Sequence, residues 1–257
     1  MRSALVFAIA GCSFAPSGQE LPRDGASASD TTTIDADLVD ASTLSDGLIA
    51  WYQMESIAGS SAADATGHGH DGACGLCPTV VAGHTGSGFS FDGTTRVDVS
   101  DAGAFDTGAF TVAMWVEYTD LFYSTYECPT GKVLDSTIYN SWELCYHDDG
   151  KWLYDTVPPS STGYQFAALE GSSGPSVGVW YHTAMVWDGS TKSLYIDGAL
   201  AATASNVQVA FGSGMPLSFG ADIDYGGQSS EFVGVLDDLR IYGRALGSAE
   251  LAALAAE

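Results

Sequence analysis

From Gly47 onward, hydrophobic and polar residues follow one another in short runs with a period of two. The clearest run is Phe110 to Thr119 (FTVAMWVEYT), which puts Phe110, Val112, Met114, Val116 and Tyr118 on one face. Such alternation, bounded by glycine and aspartate, predicts half-buried β-strands. Strands are predicted on this basis over Leu48 to Glu55, Gly88 to Asp92, Arg96 to Ser100, Phe110 to Thr119, Lys132 to Ser136 and Trp142 to His147. Further strands are predicted over Trp152 to Val157, Gln165 to Glu170, Trp180 to Trp187, Ser193 to Ile196, Leu217 to Gly220 and Phe232 to Tyr242. Asp149-Gly150, Asp188-Gly189 and Asp197-Gly198 are hairpin-turn dipeptides, and the last lies between Leu194-Tyr195-Ile196 and Ala199-Leu200. One helix is predicted, Ser248 to Ala255, with Ser248 as its cap and Glu250 in its first turn. Many strands, one terminal helix, no strand–helix alternation and no internal repeat predict an all-β, two-sheet antiparallel sandwich or jelly roll.

The first residues break this pattern. Met1-Arg2 is a minimal basic start, Ser3 to Ala10 (SALVFAIA) is a short apolar run, and Gly11-Cys12 follows. This reads as a secretory signal, residues 1–11. Ile9-Ala10-Gly11-Cys12 resembles the bacterial lipobox, and the resemblance implies cleavage before Cys12 and a lipid anchor on it. Residues 12–46 are rich in Ser, Thr, Asp, Ala and Pro, with a single basic residue, Arg23. They read as an acidic, flexible tether that holds the domain, residues 47–257, off the membrane. Ser13 after the anchored cysteine leans toward an outer-membrane or cell-surface position.

Charge narrows the partners. The 257 residues carry 8 Lys+Arg against 32 Asp+Glu, a net charge of -24. Such a chain repels nucleic acid and other polyanions and favours neutral ligands and divalent cations. No apolar run approaches the ~20 residues of a membrane-spanning helix.

The span from Gly47 to Ala255 resembles the laminin G-like, concanavalin A-like jelly-roll family. The resemblance rests on Gly47 to Glu55 (GLIAWYQME), on the loop Asp64 to Gly72 (DATGHGHDG), and on Gly88 to Gly93 followed by Arg96 to Val99 and Phe110 to Val116. It continues through Trp180 to Gly189, Leu194 to Gly198 and Gly234 to Tyr242 in order. It implies a two-sheet antiparallel sandwich, often carrying calcium and often binding glycans or proteins.

Calcium takes six to eight hard oxygens. Asp64 and Asp71 supply carboxylates, and the glycines of their loop let carbonyls turn inward. The resemblance suggests that this loop packs beside the last strand, near Asp237 and Asp238. Strand alternation sends those two to opposite faces, so Asp238 is the expected ligand and Asp237 the reserve, with Glu55 a further candidate. A rival zinc reading uses His68, His70, Cys74 and Cys77, which read His-x-His-x₃-Cys-x₂-Cys, but a secreted chain disfavours free thiolates. With Cys12 lipidated, four cysteines remain and three pairings are open. Cys74–Cys77 with Cys128–Cys145 is the favoured set, and the second closes a loop worth about 3 kcal/mol in the chain-entropy account.

Sugar binding needs exposed aromatics beside polar groups. Tyr123, Trp142 and Tyr225 are the aromatic candidates, with Asp222 as a polar partner on the same loop as Tyr225. The chain has no Glu-x-Asp-x-x-Glu strand motif and no Gly-x-Ser-x-Gly elbow. Glu117, Glu143, Glu170 and Glu231 stand isolated in the sequence. The sequence therefore reads as a non-catalytic surface lipoprotein that binds extracellular glycan or glycoprotein, with structural calcium. A structural or adhesion subunit of an envelope assembly is the alternative, and a divergent glycan-cleaving enzyme ranks behind it.

Overall fold

The computed structural model describes residues 41–100, 103–121, 124–160, 165–212 and 214–257. The signal segment, Cys12, the tether as far as residue 40 and Tyr123 lie outside the described residues. The elements, in chain order, are α1 (Ala41–Ser45), β1 (Leu48–Tyr52), β2 (Ile57–Ala58), β3 (Ser61–Ala62), β4 (Gly72–Ala73), β5 (Thr79–Ala82), β6 (Ser87–Asp92), β7 (Val97–Val99) and β8 (Phe110–Tyr118). They continue with β9 (Tyr126–Val133), β10 (Asn140–His147), β11 (Lys151–Thr156), β12 (Ala167–Glu170), β13 (Trp180–Trp187), β14 (Lys192–Ile196), β15 (Ala199–Ala204), β16 (Leu217–Phe219), β17 (Asp222–Asp224), β18 (Gly227–Ser229), β19 (Val233–Tyr242) and α2 (Ser248–Leu254).

Two antiparallel sheets form the sandwich. The first has the order β15-β14-β13-β8-β19-β6-β5, with β1 also paired to β19. The second has the order β12-β11-β10-β9-β16-β7-β4-β3-β2. The alternating residues of β8 (Phe110, Val112, Met114, Val116 and Tyr118) all enter the core between the sheets. There they meet Trp142, Leu144, Tyr146, Trp152 and Tyr154 of the second sheet. The opposite face of the first sheet packs Ala113, Ala184 and Val186 against Leu251 and Leu254 of α2. No described helix packs on the outer face of the second sheet.

The Asp197-Gly198 turn is a two-residue hairpin in which Ile196 pairs with Ala199. Both turn residues have positive φ, 50° and 74°, the requirement that selects Asp-Gly for this turn.

Four expectations change. Residues 41–45 form α1 rather than extended tether, and Arg244 ties it to the domain by donating from Nη2 to the Thr43 carbonyl at 2.8 Å. β9 spans Tyr126–Val133 rather than Lys132 to Ser136. Pro129, which lacks an N–H, and Gly131, which lacks a side chain, conceal its period. At α2 the cap is Gly247, not Ser248, and Glu250 Oε2 accepts the Gly247 N–H at 2.8 Å. Asp237 and Asp238 do not divide between opposite faces. The register of β19 against β8 shifts between Asp237 and Arg240, Asp238 has φ 54°, and both aspartates line one cavity. Such a bulge inserts an extra residue and resets the alternation. It falls where β19 exchanges β6 for β1 as its partner.

Candidate functional site

A cavity of about 370 Å³ opens on the outer face of the second sheet. Its floor follows from strand register. The Asp148–Gly150 turn pairs His147 with Lys151, Cys145 with Leu153 and Glu143 with Asp155. Odd-numbered residues of β10 and β11 therefore face outward, while Trp142, Leu144, Trp152 and Tyr154 face the core. Gly131 lies opposite Glu143 on β9, and a Cβ there would sit 3.2 Å from the Glu143 Cβ. The Cys128–Cys145 disulfide joins β9 to β10 beside Glu143. Asp222 and Asp224 of β17 close one wall, and Ala168 and Glu170 of β12 close another. Tyr126, at 43% exposure, and Phe166, at 45%, supply exposed rings.

The floor is an unusual place for carboxylates. Burial, then the charges of Asp222, Asp155 and Asp224, push the Glu143 carboxyl well above its ordinary range, although Asn140 Nδ2 donates to its Oε2 at 2.9 Å. Burial raises Asp155 to about 6 against the pull of Lys192. Burial also raises Asp222 to about 6, against hydrogen bonds from Asn140 and the Ile223 N–H. These groups hold protons that solvated carboxyls would release.

A smaller cavity of about 180 Å³ lies at the β19 bulge, lined by Glu55, Asp237, Asp238, Trp51, Thr85, Trp115 and Arg240 among others. Asp237 Oδ2 accepts the Thr85 N–H at 3.0 Å, and Glu55 Oε2 accepts the Ser87 N–H at 3.1 Å. The connecting loop approaches both acids closely: a Cβ on Gly83 would lie 2.7 Å from Asp237 Oδ2, and one on Gly86 would lie 2.4 Å from Glu55 Oε1. Asp238 turns to Arg240, 2.8 Å away, and to the Trp51 indole N–H.

The Asp64–Asp71 loop is a third locus. Asp64 Oδ1 accepts the backbone N–H groups of Trp51 and Thr66, and Oδ2 accepts that of His70, while the Thr66 hydroxyl reaches both oxygens. Burial pushes this carboxyl up, but those hydrogen bonds outweigh it and hold it low. Asp71 Oδ1 accepts the Asp64 N–H at 2.8 Å.

Of the expected metal ligands, Asp64 and Asp71 share one loop, while Glu55 and Asp238 lie at the β19 bulge, and the four do not bring three ligating atoms within 4.8 Å of one another. Among the described residues, only Cys128, Glu143 and Cys145 bring three ligating atoms within 4.8 Å of one another, and both of those sulfurs are in a disulfide. Asp64 and Asp71 serve their own loop, and Asp238 serves Arg240. The zinc reading of His68, His70, Cys74 and Cys77 fails because Cys74 and Cys77 are disulfide-bonded to each other. Both bridges match the favoured pairing.

Of the expected ligand-contacting residues, Tyr123 lies outside the described residues. Trp142 is a correction: it is 1% exposed and packs against Phe110 between the sheets, because it has the inward parity of β10. Asp222 lines the large cavity. Tyr225 is 74% exposed at the tip of the β17–β18 hairpin, next to Asp224 on the cavity wall. Sequence reasoning missed Asp155 and Phe166 and set Glu143 aside as isolated. The Asp149-Gly150 turn carried the signal for Asp155, since its position sets 143 opposite 155.

Known proteins share this architecture. Domain 4 of AbnA, a GH43 extracellular arabinanase from Geobacillus stearothermophilus solved with arabinotriose, is 21% identical with a TM-score of 0.56, over 81% of this chain and 98% of that one. Trypanosoma rangeli sialidase is 18% identical with a TM-score of 0.60, over 81% of this chain but 32% of that one. The binding domain of Paraclostridial Mosquitocidal Protein 1 is 16% identical with a TM-score of 0.62, over 82% of this chain and 52% of that one. At these identities the likeness is one of fold. No curated protein matches the sequence. A laminin G-like family model matches residues 91–252, from the end of β6 into α2, and with the two-sheet sandwich built from those strands the chain belongs to the concanavalin A-like lectin/glucanases superfamily.

Proposed function

We propose that the protein is a non-catalytic glycan-binding module whose site is the cavity on the outer face of the second sheet. One observation carries this reading: exposed Tyr126 and Phe166 rings stand over a floor of carboxyl groups in a cavity of about 370 Å³. Pockets of about 300–1,000 Å³ with apolar walls and a few convergent polar groups suit small ligands. Rings can stack on the CH face of a sugar, while carboxylates take its hydroxyls. The arabinotriose complex of the AbnA domain lends support by fold alone. The test is glycan-array binding by the purified chain and by its Phe166→Ala and Tyr126→Ala variants. Selective binding that both variants weaken supports the reading, and unchanged binding overturns this location for the site.

The surroundings belong to the same proposal. The chain is delivered to the cell envelope, held by a lipid on Cys12 and spaced from the membrane by the acidic segment. Loss of labelled fatty-acid incorporation in Cys12→Ala tests the anchor.

A calcium ion is assigned to Glu55 and Asp237 in place of the Asp64–Asp71–Asp238 set. The loop of Gly83 to Ser87 lies so close to both carboxylates that a Cβ would intrude, and carboxylate and carbonyl oxygens are the hard donors calcium selects. The ion would fasten this loop to β19.

A second reading is acid-catalysed glycan cleavage. Burial and neighbouring acids raise the proton affinity of Glu143, and Asp155 stands directly opposite it on β11, the pairing of an acid with a second carboxylate that glycoside hydrolysis uses. Release of reducing sugar from a bound glycan, abolished in Glu143→Gln, would establish it.

A further inference from the structure

Five carboxylates line the large cavity: Glu143, Asp155, Glu170, Asp222 and Asp224. Among the described residues no lysine or arginine lines it, and His147 is the one basic side chain. Some of these acids have partners. Glu170 pairs with Lys151 at 2.6 Å, Ser229 Oγ donates to Asp224 Oδ2 at 2.6 Å, and Asn140 donates to Glu143. Asp155 does not follow them. It is 8% exposed, and its Oδ1 has no hydrogen-bond partner among the described residues. Asp224 Oδ1 is likewise unpartnered. Burying a carboxylate oxygen without a partner costs free energy that only a proton or a cation recovers.

Apart from Lys151, which holds Glu170, the cationic groups that act on these acids are engaged elsewhere. Lys192 acts on Asp155 from β14, but its Nζ donates to the Tyr154 carbonyl at 3.0 Å and to Thr156 Oγ1 at 3.2 Å. Arg96 acts on Asp222 but is bound to Asp98 at 2.6 Å. His147 contacts Asp149 at 2.9 Å. A metal ion is a poor occupant, because the two sulfurs beside Glu143 are oxidised and Leu153, Ile138 and the two rings make much of the wall apolar. An organic cation uses both kinds of surface: its charge meets the acids, and its carbon frame meets the rings.

We propose that this cavity recognises a saccharide carrying a free, unacetylated ammonium group, seated against Asp155 and Glu143 with its ring against Phe166 or Tyr126. The inference rests on the glycan-binding reading and names the chemistry of its ligand. An ammonium group seated among these acids favours their ionised form, so binding releases protons at a pH where the free cavity still carries some, below about 6.

Isothermal titration of the full chain at about pH 5.5, where the amino sugar is a full ammonium and the acids are partly protonated, tests this, with the fully deacetylated glucosamine tetramer, its N-acetylated counterpart, cellotetraose and spermidine as probes. The expected result is at least about tenfold tighter binding of the deacetylated tetramer than of either neutral tetramer, equivalent to about 1.4 kcal/mol. Binding enthalpies in two buffers of different ionisation enthalpy should reveal net proton release, a readout that needs no variant. Asp155→Asn and Glu143→Gln preserve side-chain size and should cut the preference for the deacetylated over the N-acetylated tetramer to about twofold. Equal affinity for deacetylated and neutral tetramers overturns the ammonium inference and leaves the glycan reading standing. Spermidine bound as tightly as the sugar, and unaffected by Asp155→Asn, overturns it in favour of general attraction to an acidic chain. Binding of no saccharide at all overturns both readings.

Discussion

Glu143 and Asp155 face one another across β10 and β11 as directly opposed residues on the outer side of the second sheet. Both are buried, and neither is joined to a lysine or arginine by an ion pair among the described residues. Opposed like charges destabilise a strand pair, and that repulsion together with burial raises the proton affinity of the cluster. This arrangement trades stability for a ready-made polar floor, as binding sites commonly do.

That trade should appear in the pH dependence of stability. A carboxyl raised to about 6 binds its proton more tightly in the folded chain than in the unfolded one, as Asp155 and Asp222 do. Their contribution is full below the unfolded value near 4 and is lost as pH rises through about 6. His182, lowered to about 4 by burial and then by Arg240, works in the opposite direction over the same window. Comparing Asp155→Asn with the parent cancels that histidine. The variant should match the parent near pH 4 and exceed it by on the order of 2 kcal/mol near pH 7 in urea unfolding. A gain independent of pH would show that Asp155 titrates normally.

Most of the long strands were legible because period-two alternation survives in their segments. Phe110 to Tyr118 is the plainest case, and all five residues of its predicted face reach the core. The candidate site was less legible, for three separate reasons. Trp142 was chosen for its chemistry, while its parity within β10 sends it inward. β9, which carries Tyr126, is disguised by Pro129 and Gly131. Glu143, Asp155 and Asp222 are separated in sequence and meet only through register and the packing of the β17–β18 hairpin beside β9. Parity also misassigned Asp237 and Asp238, because a bulge leaves no mark in composition.

The rim rings should matter for affinity and little for folding. Phe166 precedes β12 and Tyr126 opens β9, and each is close to half exposed. Truncating either to alanine removes a stacking surface without opening a hole in the core. Affinity for whichever glycan the array identifies should fall about tenfold in each variant, with melting temperature nearly unchanged. A large fall in melting temperature would mean that these rings are structural.

The two disulfides should differ in worth. Cys128–Cys145 spans 17 residues and Cys74–Cys77 spans 3. In the loop-entropy account the longer bridge contributes about 3 kcal/mol and the shorter about 2. The longer bridge also floors the cavity beside Glu143. Replacing Cys128 and Cys145 together with alanine should therefore lower both stability and glycan affinity, whereas the same change at Cys74 and Cys77 should lower stability alone. Titration calorimetry and urea unfolding on the two double variants separate these outcomes, and equal losses of affinity would argue against a site next to the longer bridge.

The assignment of calcium to Glu55 and Asp237 makes the last prediction. Burial, followed by the charges of Asp238 and Glu55, raises Asp237 to about 6, so an ion there relieves like-charge repulsion as well as tying the Gly83 to Ser87 loop to β19. An ion bound only by the folded chain stabilises it in proportion to the logarithm of its concentration, about 2.7 kcal/mol at a hundredfold excess over its dissociation constant. Chelation with EDTA should lower the melting temperature, and re-added calcium should restore it. Asp237→Asn should abolish the calcium response. Asp64→Asn should leave that response intact while lowering overall stability, because Asp64 fastens its own loop through Thr66, Trp51 and His70. A calcium response that is lost in Asp64→Asn and kept in Asp237→Asn would return the ion to the Asp64–Asp71 loop.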